Sequence, residues 1–161
     1  MALTAMAAGT GWGIRGQYGH ETGAMIAGCL ASLTLVLFFV PDVGSLKAAR
    51  IAAMMTVAIG IGGSMTYGQT VGLTHDRELT GNWEALRWGM LGLAIKGGVW
   101  IGFGGAFLGM GMSGNRYRSL EIAGLMAGLV AIFYAGVYLF NSPFDPANRL
   151  LPTLYFSDHW Y

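Results

Sequence analysis

Hydrophobic and polar positions fall in long blocks along this chain rather than alternating at the period of a half-buried helix. Four stretches, at about residues 23–40, 51–67, 88–112 and 122–140, carry aliphatic, aromatic or small side chains around every turn. A helix crossing hydrocarbon about 30 Å thick needs roughly 20 predominantly apolar residues, with about 17 as the lower limit. A helix on the surface of a soluble core would instead show a charged face every 3.6 residues. The pattern predicts an all-α polytopic membrane protein, a four-helix transmembrane bundle forming a single domain over residues 1–161. Pro41-Asp42 ends the first stretch and Asn141-Ser142-Pro143 closes the fourth, because proline lacks the N–H that a continuing helix needs. Residues 1–14 are apolar but too short to span, and are expected to form a re-entrant or interfacial piece or the last turns of a helix that begins earlier.

Composition supports this pattern. The chain is 54% hydrophobic and 11% charged, against about 25% charged residues in ordinary soluble domains. Its 27 glycines are costly in isolated helices, so their place within apolar stretches needs a reason. Spacing supplies one. Gly98, Gly102, Gly105 and Gly109 share one helical face, as do Gly124, Gly128, Ala131 and Ala135, and also Ala24, Gly28 and Ala31. Such small-residue seams let backbones approach closely in lipid. They are expected to pack the bundle and to offer a route to a homo-oligomer, with membrane lipids as the surrounding partner. A net charge of +1 and no basic run exclude nucleic-acid binding. The lone Cys29 is expected to act as a small hydrophobe. No basic segment at the start suggests a cleaved signal, and the aromatic cluster from Leu154 to Tyr161 suggests that the chain is part of something longer.

The polar links sort onto two sides. Side B holds residues 41–50, with Lys47 and Arg50, and residues 113–121, with Arg116 and Arg118. Side A holds the N-terminal segment, residues 68–87 and residues 141–161. The two sides carry equal numbers of lysine and arginine, but the basic residues of side B are concentrated in its two short links. By the positive-inside tendency this places side B in the cytoplasm. The expected setting is a cell inner membrane with the histidine-rich loops of side A extracytoplasmic.

All three histidines fall on side A, each beside a carboxylate: His20-Glu21, His75-Asp76 and Asp158-His159. Histidine titrates near neutrality, and a neighbouring carboxylate fixes its tautomer, so such pairs serve proton relays and polar recognition. No pair of histidines has metal-ligand spacing and no second cysteine exists, so neither a metal site nor a cofactor is expected. Two segments look related: Gly16-Gln17-Tyr18-Gly19-His20-Glu21 precedes the first span, and residues 68–76, with Gly68-Gln69, Gly72 and His75-Asp76, precede the third. Paired hairpins of this kind occur in transporter repeats.

Lys96 is the one charge well inside a span, sharing a helical face with Ala85, Gly89 and Gly92. Intramembrane charges mark functional sites, and the small neighbours suggest a polar cavity beneath side A. Structural pairing of a snorkelling lysine with Glu21 or Asp76 is the alternative.

The run from Gly11 through Trp12, Arg15, Gln17, His20 and Glu21 to Met25, together with Tyr67-Gly68-Gln69-Thr70-Val71-Gly72, resembles a group of bacterial multi-pass membrane proteins. No activity is attached to that group. The resemblance implies a bacterial inner-membrane setting and a longer full-length chain, and it assigns no site residue.

The residues themselves point first to a transporter or polar-ligand-binding module with a vestibule on side A. Lys96 and Arg15 would hold a small polar or anionic ligand, with Gln17, His20, Glu21, Gln69, His75, Asp76, Trp83 and His159 around it. A membrane enzyme using His20 or His75 as general base and a purely structural membrane subunit are the alternatives. No catalytic residue is assigned.

Overall fold

The structure, a computed structural model, describes residues 1–63, 68–75, 81–142, 144, 145 and 147–154. Its regular elements are helices: α1 (Ala2–Gly13), a 3-10 turn (Arg15–Gln17), α2 (His20–Phe39), α3 (Ser45–Gly63), α4 (Gly68–His75), α5 (Trp83–Met112) and α6 (Ser119–Phe140). Among the described residues there is no strand, only an isolated bridge between Asp145 and Leu150. The helices α2, α3, α5 and α6 are long and apolar enough to cross a membrane.

All four long helices begin earlier than the apolar pattern suggests, α3 and α5 by the most. Helix α3 starts at Ser45 and takes in Lys47 and Arg50, residues whose straight stems favour helix. Arg50 then reaches across, its Nη2 donating to the Tyr117 carbonyl at 2.6 Å. Helix α5 starts at Trp83 because Asn82 caps it, its Oδ1 accepting the N–H groups of Glu84 and Ala85 at 3.1 and 3.2 Å. Neither signal depends on hydrophobicity.

The chain forms two compact units, one of residues 1–64 and 99–118, the other of residues 65–98 and 119–161. Helix α5 contributes its second half to the first unit and its first half to the second.

In the first unit α1 folds back along α2. A β-carbon placed on Gly11 would stand 2.6 Å from Ala27 Cα, and one on Gly23 would stand 2.6 Å from the Arg15 carbonyl oxygen. Only glycine permits these approaches. The chain reverses at Gly19, whose φ of 80° lies in the left-handed region. Helix α3 packs antiparallel to α2, with Gly28 against Ile59 and Gly60 against Met25. The second half of α5 lies against α3 through Gly104 at Ile59 and Gly111 at Ile51. Ala24, Ala31, Met55 and Ile59 form the buried cluster, with Ala8, Trp100 and Leu108 against it.

In the second unit the short α4 runs antiparallel to the first half of α5. Leu73, Ala85 and Phe144 form its buried cluster, flanked by Trp88 and Leu151. Along α6 Phe133 is the buried residue.

The three small-residue seams have different fates. Ala24, Gly28 and Ala31 are buried, as the spacing predicts. Gly98, Gly102, Gly105 and Gly109 are exposed, and a β-carbon on any of them would meet nothing within 4 Å; the same openness holds at Gly124 and Gly128. Within this chain α5 uses other glycines, at 89, 104 and 111, for close packing. Spacing reveals which backbones can be approached, but a chain need not carry the partner for every such face.

Candidate functional site

Lys96 lies on α5 about 20 Å along the axis from Trp83 at about 1.5 Å per residue. It is only 4% exposed, although lysine is almost never fully buried unless paired. The expected face is the one that packs: Ala85, Gly89, Gly92 and Lys96 are all buried. At Gly89 the small residue makes room for a helix. A β-carbon there would stand 2.7 Å from Thr74 Cγ2 and 3.0 Å from both Leu73 Cβ and the Thr70 carbonyl oxygen. Helix α4 therefore lies against the lysine's own face, and the Lys96 ammonium donates to the Thr70 hydroxyl, itself completely buried.

Thr70 is the third residue of α4, so Lys96 meets the N-terminal turn of that helix. The first backbone N–H groups of a helix have no intrahelical acceptor, and the helix dipole adds positive potential there. Ammonium and helix terminus together favour an anion at this place. Thr70 was not foreseen as a site residue. It sits inside the Gly68-to-His75 motif, and the motif's position beside α5 is what gives it meaning.

The second polar cluster belongs to the first unit. Arg15, in the 3-10 turn, holds its guanidinium carbon 4.6 Å from the centroid of the Trp12 ring and 5.8 Å from that of Trp100. The two indoles are 4.6 Å apart at 56°. Trp100 is pinned by its Nε1, which donates to the Ile59 carbonyl at 2.8 Å. Arg15 Nη2 stands 2.6 Å from His20 Nδ1. A guanidinium can only donate, so Nδ1 accepts and the neutral ring carries its proton on Nε2. Trp12 and Trp100 were missed as site residues; an indole N–H inside an apolar span needs an acceptor, and that was the available signal.

The other expected site residues stand as follows. Gln17 ends the 3-10 turn and is exposed; Glu21 is exposed in the first turn of α2, where a carboxylate complements the helix dipole. His75 is the last residue of α4, its Nδ1 2.8 Å from the Val71 carbonyl. That carbonyl can only accept, so Nδ1 carries a proton. Trp83 is 70% exposed at the start of α5. Gln69 lies in α4. Asp76 and His159 lie outside the described residues. Arg15, His20 and Glu21 belong to the first unit, and Lys96, Thr70, His75 and Trp83 to the second.

The two related motifs do not occupy equivalent positions. Gly16-Gln17 lies in the turn after α1 and His20 opens α2, whereas Gly68-Gln69 opens α4 and His75 closes it. What recurs is a short helix followed by a long one, out of register with the letters.

No protein-family model matches the chain, and neither curated proteins nor solved structures give a match.

Proposed function

We propose that this chain is a multi-pass membrane protein that binds a small anionic solute at Lys96, as a binding or transport module. The observation that supports this reading is a buried lysine, within a helix long and apolar enough to span a membrane, meeting the N-terminal turn of a short helix. Half-helices whose N-termini face anionic groups within the bilayer are a recurrent device of transporters. Lys96 supplies the charge, Thr70 orients it, and the α4 terminus supplies backbone donors. In this reading α2, α3, α5 and α6 cross a bacterial inner membrane, with His20 and His75 on the extracytoplasmic face. The open seams on α5 and α6 favour an assembly of several copies in which those faces are covered.

The test is uptake and equilibrium binding by the full chain in liposomes, using acetate, succinate and inorganic phosphate as probes. Wild-type protein is expected to take at least one of them. Lys96→Met is expected to insert normally and to lose at least about tenfold in affinity, the size of one charge-assisted hydrogen bond. Equal binding by both proteins, or none of the three anions bound by wild type, would overturn the assignment.

A further inference from the structure

The first unit contains a cavity of about 300 Å³ lined by Ala8, Gly9 and Trp12 of α1, Ala31 of α2, Met55 of α3 and Trp100 of α5, among others. Its walls are apolar. It is half-open to its surroundings, and its volume corresponds to about ten methylene groups, each taken as similar in size to a water molecule at about 30 Å³. Both indoles that line it also carry the Arg15 guanidinium, at 4.6 and 5.8 Å from their centroids. The cavity is therefore lined by hydrocarbon and indole, and the Arg15 guanidinium stands outside that lining, stacked on two of the lining rings.

We propose that this cavity binds a single-chain anionic amphiphile, a medium-chain carboxylate, with its hydrocarbon chain among α1, α2, α3 and α5 and its head at Arg15. The volume suits one chain and is too small for the two chains of a phospholipid. The planar fork of a guanidinium matches a carboxylate, and stacking on the Trp12 and Trp100 rings presets its orientation. His20, accepting from Arg15 Nη2 at 2.6 Å, positions the same group without adding charge. This site lies wholly in the first unit and does not depend on the anion site at Lys96.

Terminally brominated undecanoic acid tests it, because bromine quenches indole emission only at short range. The full chain in bilayer nanodiscs is titrated with this acid, with the brominated alcohol of equal length, and with a brominated diacyl phosphatidylcholine. Saturable quenching by the acid is expected, weaker by about tenfold for the alcohol and for Arg15→Gln, the size of one charge-assisted hydrogen bond. Gly9→Leu adds bulk where a β-carbon meets nothing within 4 Å; it is expected to fold and to abolish the saturable component. Unchanged quenching in Gly9→Leu, equal affinity for acid and alcohol, or equal saturable quenching by the diacyl lipid would each overturn the proposal.

Discussion

The pairing of α1 with α2 and that of α4 with α5 use one device for two different ends. In each, a short helix lies antiparallel to a long one and a glycine brings the backbones together, Gly11 at Ala27 in the first and Gly89 at Thr70 in the second. In the first pair the residues nearby are indoles and alanines, and the space left beside them is apolar. In the second, two further turns along α5 bring Lys96, whose ammonium meets the Thr70 hydroxyl. Glycine sets how near two helices come; the side chains flanking the junction decide its chemistry.

The contrast can be broken most forcefully at Gly23. A side chain there meets the Arg15 backbone itself, so Gly23→Val should cost at least about 3 kcal/mol and disrupt only the α1/α2 junction, seen as a lower unfolding midpoint with anion binding at Lys96 retained. Gly89→Val presses on side chains that can shift as well as on the Thr70 carbonyl. A loss of about 2 kcal/mol, with anion binding impaired, is expected by the same melt. Thr70→Val removes the hydroxyl from a buried ammonium and should cost about 1–2 kcal/mol, with chain binding in the first unit untouched. Gly105→Ala adds helix propensity on an open face and should raise the stability of a monomer in detergent by up to about 1 kcal/mol by the same melt.

The smallest effect concerns the turn after α6. Asp145 accepts from the Asn148 side chain at 2.7 Å and from the backbone N–H groups of Asn148 and Ala147 at 3.3 and 2.9 Å. These bonds, the Asn148 side chain first, hold its pKa below the ordinary 3.8. The unfolded chain takes the proton more readily, so the turn's stabilisation is complete above the ordinary value and fades as pH falls through the lower folded one. Amide exchange at Ala147 and Asn148 should accelerate over that acid range, and Asp145→Asn should remove the dependence.

The four long helices were legible because hydrocarbon thickness imposes a length and forbids charge, and both constraints are written in composition. Their starts were not, since Lys47 and Arg50 act through helix propensity and Asn82 through capping rather than hydropathy. The face shared by Ala85, Gly89, Gly92 and Lys96 was readable from helical period alone, yet period cannot tell whether a small-residue face lines a cavity or receives a helix, and at Gly89 it receives α4. Thr70, Trp12 and Trp100 escaped notice because their importance comes from partners distant in sequence. Gly102 and Gly105 show the converse, having the right spacing but, among the described residues of their own unit, nothing within 4 Å of an added β-carbon.

Alternation of the polar links across a bilayer is what every functional assignment rests on, and cysteine labelling reads it directly. With Cys29 replaced by serine, single cysteines at Gly16, Gly44, Gly81 and Gly114 in sealed vesicles are challenged with a membrane-impermeant maleimide. Gly16 and Gly81 should share one labelling pattern, with Gly44 and Gly114 sharing the opposite one. Identical labelling at all four positions would contradict the four-span arrangement.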